Sequence, residues 1–169
     1  MRVIGLAGWS GSGKTTLLAR LIPLLIGEGL RVSTIKHAHH NFDVDKPGKD
    51  SWTHRQAGAS EVLVVSDTRW ALMHELRGDA EPSLTELLGK LSECDLVIVE
   101  GFKREPIPKI EIWRAEVGKP LLHPDDTAIV LMTSDDPCPQ ARVPILPLSD
   151  LPALARAVLS AARPIGALG

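Results

Sequence analysis

Short apolar runs alternate with longer amphipathic stretches along this chain, and that alternation predicts most of its elements. Residues 2–7 (RVIGLA), 95–100 (DLVIVE) and 127–132 (TAIVLM) are nearly continuous apolar runs, as strands buried on both faces are. Residues 31–36 (RVSTIK), 61–66 (EVLVVS) and 69–75 (RWALMHE) read as further strands. Residues 109–114 (KIEIWR) alternate apolar and polar, which predicts a strand with one wet face. Residues 15–26 (TTLLARLIPLLI) carry Leu or Ile at seven positions, wider than one stripe, so this helix is expected to be covered on much of its circumference. Pro23 should distort it, and Gly27 and Gly29 should stop it. Asp50 and Ser51 predict a short capped helix to about Ala57, and Ser83 with Glu86 has capping-box spacing for one reaching about Leu91. A final helix is expected over 150–162, with a loose tail after Arg163. Strands alternating with helices predict an α/β fold, a mostly parallel twisted sheet with helices on both faces, in one domain of residues 1–169.

The first strand runs into Gly8-Trp9-Ser10-Gly11-Ser12-Gly13-Lys14-Thr15, a complete G-x-x-x-x-G-K-S/T phosphate-binding loop, and a helix follows. Strand, glycine loop and helix in that order are the context this motif requires, which makes the fold P-loop NTPase-like. Gly8, Gly11 and Gly13 let the backbone curl with its N–H groups inward, toward phosphate oxygens at the positive end of the helix. Lys14 is placed to reach the β- and γ-phosphates, the Thr15 hydroxyl to ligate Mg²⁺, and Thr16 to contact an α-phosphate.

Composition narrows the remaining classes. The chain has 169 residues, 44% hydrophobic and 24% charged, with a net charge of −2, so no global field draws it to nucleic acid or anionic membrane. No apolar run approaches the length of a membrane span, and the N-terminal run enters the phosphate loop without a basic leader. Cys94 and Cys138 form no C-x-x-C pair and read as reduced thiols of a cytoplasmic protein.

Two further segments carry chemistry. Leu96-Val97-Ile98-Val99 followed by Glu100-Gly101 has the form of a Walker B element, with Glu100 emerging at the strand end to hold Mg²⁺ or polarise a water. Gly101 would let the backbone approach the γ-phosphate, and Lys103 and Arg104 follow as two cations. Residues 37–50 hold His37, His39, His40, Asp43 and Asp45, a set fit for contacting a phosphate or a substrate, for binding a metal, or for joining the Mg²⁺ shell. Trp70 and Trp113 are interface anchors or core residues.

These residues together resemble a known family. GWSGSGKTT, the stretch IKHAHHNFDVDKPGKDS, RQAGA, RWALM, and DLVIVEGFK followed by PKIEIWR are similar to the MobB-type molybdopterin-guanine dinucleotide biosynthesis adapters over residues 1–135. The resemblance implies a GTP-binding homodimer with weak hydrolysis. It implies assistance in attaching GMP to molybdopterin, alongside a separate molybdopterin nucleotidyltransferase that carries the chemistry. On this chain the phosphate-loop role falls on Gly11, Ser12, Gly13, Lys14, Thr15 and Thr16, and the Walker B role on Glu100. No N-K-x-D guanine signature is present, so guanine preference rests on the resemblance; Asp135 or Asp136 after the strand at 127–132 is either the guanine acceptor or a turn cap. Two other functions compete: a metal-delivery GTPase using His37, His39 and His40, and a small-molecule kinase, whose usual arginine-bearing lid has no counterpart in the scattered Arg55, Arg69 and Arg77.

Overall fold

Val3, Ile4, Leu96, Val97 and Val99 have no exposed surface at all, because the strands that carry them are paired on both edges and covered on both faces. The computed structural model describes residues 1–38 and 42–167. In chain order the elements are β1 (Arg2–Ala7), α1 (Lys14–Gly27), β2 (Val32–Lys36), α2 (Asp50–Gln56), β3 (Glu61–Val65), β4 (Trp70–His74), α3 (Leu84–Leu88), β5 (Leu96–Glu100), β6 (Lys109–Ile112), β7 (Ile129–Thr133), β8 (Ile145–Leu146), α4 (Leu151–Ala161) and β9 (Arg163–Pro164). They form two compact units, Met1–His37 with Leu84–Gly169, and Ala38–Ser83.

The larger unit holds a sheet in the order β2-β5-β1-β6-β7-β8, parallel throughout, with β9 added antiparallel to the start of β1. The register sets Leu6 of β1 beside Glu100 of β5 and Ile110 of β6, so the carboxyl ends of three strands share one rim. One face packs Ile4, Leu6, Ile98, Ile110 and Ile112 against Leu17, Leu21 and Leu25 of α1 and Leu154, Ala155 and Val158 of α4. The other packs Val3, Val97, Val99 and Ile107 against Leu84 and Leu88 of α3. The α/β architecture with helices on both faces is thus as the alternation of runs predicts.

Several local expectations change. α1 buries only the stripe Leu17, Leu18, Leu21 and Leu25, while Leu24 and Ile26 are exposed, so its apolar width exceeds its coverage. Pro23 lies inside the helix without ending it; it and Ala19, whose carbonyl it cannot pair, both sit on the exposed side. α2 begins on Lys49 with no side-chain cap, whereas α4 is capped as expected, Asp150 accepting from the Ala153 N–H at 3.0 Å. α3 stops at Leu88, where Gly89 follows. Past α4, the Ile165 N–H donates to the Met1 carbonyl at 3.3 Å.

The predicted wet face of β6 is dry. Lys109 and Glu111 are buried because the loop at 122–126 covers them with matched partners. Lys109 pairs with Asp126 at 3.0 Å and donates to the Glu105 carbonyl at 2.7 Å. Glu111 accepts from the Leu122 and His123 N–H groups at 2.6 and 3.1 Å and from His123 Nδ1 at 2.7 Å. His123 Nε2 accepts from the Arg142 N–H at 3.0 Å, which assigns the proton to Nδ1 and leaves the ring neutral. Binary patterning cannot tell a solvated carboxylate from a buried one with three donors.

The smaller unit joins α2 to the antiparallel hairpin β3–β4. Arg55 organises it: its guanidinium reaches Asp43 and Glu75 at 2.9 Å and Asp45 at 3.5 Å. Hydrogen bonds to Glu75 and Asp43 push its pKa still higher than that of a free arginine, and the Asp45 N–H and then Arg55 hold the Asp43 carboxyl below its usual range. Val62 is buried, but the opposite hairpin face pairs Leu63 with Leu72 and Val65 with Trp70 in the open, at 61, 49, 71 and 64% exposure. Trp70 is therefore not a core residue.

Replacing Glu111 with Ala leaves three buried donors unmatched, and a donor so stranded costs about 1–3 kcal/mol. Urea unfolding of Glu111→Ala is expected to show a loss of roughly 3 kcal/mol or more. A loss under about 1 kcal/mol would show that this network is not structural.

Candidate functional site

The turn out of β1 is shaped by close approach. A Cβ on Gly8 would lie 2.5 Å from Ser12 Oγ and 2.7 Å from the Ile112 carbonyl, so only glycine fits. Gly13, at φ +94°, is the N-cap of α1 and supplies no side-chain acceptor, which leaves the first N–H groups of a fourteen-residue helix available to an anion. Lys14 folds across the loop and donates to the Gly8 and Trp9 carbonyls at 2.8 and 2.9 Å. Two of its three donors are thereby used, and the third remains for a phosphate. Burial lowers the pKa of this ammonium, Glu100 opposes that, and Lys103 and Lys36 add to it. Thr15 and Thr16 are exposed on the first turn, and Ser12 Oγ is buried with no partner.

Glu100 stands one strand away at the end of β5. Its side chain is 13% exposed and faces Lys36 at a loose 3.9 Å. Gly101 is also required by close packing: a Cβ there would lie 2.5 Å from the His37 Cβ, with the His37 N–H bonded to the Glu100 carbonyl at 2.8 Å. Phe102 takes a positive φ of 41°, rare for an aromatic residue, and its ring lies 5.0 Å from the His37 ring. That turn sends Lys103 back over the phosphate loop, where its ammonium lies 5.3 Å from the Trp9 ring centroid.

On the other side of β1, the aspartate pair follows the carboxyl end of β7. Asp135 accepts from the Ser149 N–H at 3.2 Å and Asp136 from the Ala115 N–H at 2.8 Å. Each carboxylate thus caps a loop through one oxygen and keeps the other at the rim.

Sequence reading missed two groups at this rim, Lys119 and Arg114. Lys119 lies 5.9 Å from the Trp9 ring, whose Nε1 donates to the Pro120 carbonyl at 2.8 Å. Arg114, two residues past β6, places its guanidinium against Gly13. The available signal was position: each follows the carboxyl end of a strand that neighbours β1. Trp113 is half-buried, with Nε1 bonded to the Lys119 carbonyl at 3.0 Å.

Other candidates fall elsewhere. Asp43 and Asp45 serve Arg55, and Arg77 donates to the Arg55 and Ala59 carbonyls at 2.7 and 3.0 Å. Both arginines therefore have structural work. His39 and His40 lie outside the described residues, among which no group of three metal-ligating side chains occurs.

Comparison with known proteins agrees with this geometry. A family described as molybdopterin guanine dinucleotide synthesis protein B matches residues 3–135. A molybdopterin-guanine dinucleotide biosynthesis adapter protein of Haemophilus influenzae is 49% identical over 135 residues, covering 78% of this chain and 74% of that one. The protein of the same description from Escherichia coli is 44% identical over 156 residues, covering 90% and 89%. A crystal structure of molybdopterin-guanine biosynthesis protein B superposes with a TM-score of 0.72 at 25% identity, covering 94% of this chain and 98% of that one. The Bacillus stearothermophilus homologue superposes with a TM-score of 0.68 at 25% identity, again covering 94% and 98%. The chain belongs to the molybdopterin guanine dinucleotide synthesis protein B (MobB) family.

Proposed function

We propose that this chain is a GTP-binding adapter in molybdenum cofactor assembly. In this reading it assists a separate nucleotidyltransferase in converting molybdopterin to its guanine dinucleotide form, and its own GTP hydrolysis is slow. The observation that carries the reading is Lys14 held across the glycine-rich loop at an uncapped helix N-terminus, with Glu100 on the adjacent strand.

The chemistry follows from those groups. Loop N–H groups and the Lys14 ammonium bind the β- and γ-phosphates. Thr15 and Glu100 are hard oxygen donors of the kind Mg²⁺ prefers, and Glu100 has only a loose ion pair to give up. Mg²⁺ bound there would neutralise phosphate charge. The free oxygens of Asp135 and Asp136 support guanine recognition through its N–H groups, two strands from β1 on the rim. No helix among the described residues is long and apolar enough to cross a membrane, and the two buried free cysteines are in keeping with a cytoplasmic protein. The open apolar hairpin face, Leu63, Val65, Trp70 and Leu72, supports a homodimer built on β3–β4, since a paired apolar surface of this kind marks an interface.

Lys14→Ala is expected to weaken GTP binding about 100-fold, the loss of a charge-assisted phosphate contact, with an unchanged thermal midpoint. Undiminished affinity in the folded variant would refute the nucleotide site. Calorimetry with GTP, GDP and ATP, each with Mg²⁺, is expected to favour guanine nucleotides, and Asp135→Ala with Asp136→Ala to erase that preference; a preference for ATP would sink the guanine assignment. In sedimentation, wild type is expected to run as a dimer and Trp70→Glu to dissociate it. A monomeric wild type would remove the hairpin from this role.

A further inference from the structure

We propose that Arg114 is a second phosphate-binding cation of the nucleotide site, reaching the polyphosphate from the β6 side while Lys14 reaches it from within the loop. The proposal rests on the nucleotide-site reading above and adds a residue to it.

Five observations converge on Arg114. A Cβ built on Gly13 would lie 3.3 Å from Arg114 Nε, 3.4 Å from Nη2 and 3.7 Å from Cζ, so the guanidinium lies over the residue that precedes Lys14. Gly13 opens α1, and the N–H groups beneath that guanidinium are the ones that a phosphate seeks. Arg114 Nε is buried without a hydrogen-bond acceptor, a state that calls for an explanation in a folded protein. Arg114 Nη1 pairs with Glu116 at 3.3 Å, and the Glu116 side chain is 73% exposed, a contact worth little and readily given up. Backbone tethers fix the position on both sides, since the Trp113 N–H donates to the Thr133 carbonyl at 3.1 Å and the Ala115 N–H to Asp136 at 2.8 Å.

The surroundings point the same way. Among the described residues, five buried side-chain polar atoms lack a hydrogen-bond partner. Two of them, Asp45 Oδ2 and Arg55 Nε, face each other at 3.5 Å in the smaller unit. The other three are Ser12 Oγ, Arg114 Nε and Thr133 Oγ1, all at the carboxyl ends of β1, β6 and β7. Unmatched polar atoms gathered on one rim of an otherwise matched unit mark where an oxygen-rich ligand binds. A planar guanidinium suits phosphate because it offers parallel N–H donors, and it stays charged throughout the physiological range. The arrangement also divides the labour around β1, with the acid and its magnesium chemistry on the β5 side and the fixed cation on the β6 side.

The test is calorimetry of GTP, GDP and GMP against wild type, Arg114→Ala, Arg114→Lys and Lys14→Ala, at low and high salt. Arg114→Ala is expected to weaken GTP and GDP about 10- to 100-fold and GMP much less, and to flatten the salt dependence of GTP binding. Arg114→Lys is expected to recover part of the loss, since it restores charge without the fork. Affinity for GTP within about twofold of wild type in Arg114→Ala would overturn the proposal, because a single charge-assisted contact is worth more than that. An equal loss for all three nucleotides with a lowered thermal midpoint would also overturn it, showing that Arg114 only props up Gly13. If Lys14→Ala loses GTP while Arg114→Ala does not, the Arg114 assignment fails alone. If neither loses GTP, the nucleotide site fails and takes the proposal with it.

Discussion

The site depends on the complete enclosure of β1. With β5 on one edge, β6 on the other and helices over both faces, this strand is buried from Val3 to Ala7, and its chain turns at the carboxyl end. There the approach of Gly8 to Ser12 and to the Ile112 carbonyl forces a tight turn that no side chain permits. The turn puts the start of α1 directly above the strand, so a field from one helix terminus, a ring of N–H groups and the Lys14 ammonium converge on one spot. Because β5 and β6 are held in register with β1, Glu100 and Arg114 arrive on opposite sides of that spot.

Satisfaction of hydrogen bonds separates the polar groups that build the fold from those that await a ligand. Glu111 and His123 are as buried as any leucine, yet all their bonds close on the chain itself, and the result is a rigid support under the loops at 122 and 142. Ser12, Thr133 and Arg114 retain buried polar atoms that the chain does not match. Ion pairing reassigns the acidic stretch after β2. Asp43 and Asp45 spend their charge on Arg55, which ties the start of the smaller unit to α2 and, through Glu75, to the end of its hairpin.

The hairpin obeys a different rule from the central sheet. Its inner face buries Val62, while its outer face leaves two cross-strand apolar pairs in water. Two strands alone provide little stability, and an apolar face of this kind is costly to leave bare. Attachment to α2 and the Arg55 network holds the hairpin in place.

The sequence by itself determined the central strands, the phosphate loop, its lysine and the acid at the end of β5. Continuous apolar runs admit one placement, and a glycine-lysine loop between strand and helix admits one backbone course. Family membership was also legible there, carried chiefly by the long stretch after β2. Tertiary structure alone decided the rest. Whether the charges of β6 face water or a buried histidine depends on a loop eleven residues further along. Whether Asp43 binds metal or arginine depends on a helix that follows it. That Arg114 lies on Gly13 depends on β6 pairing with β1 across a hundred residues of chain. Local patterning reports which faces are apolar, whereas the partner of a charge is set by strand order and loop course, which no local window contains.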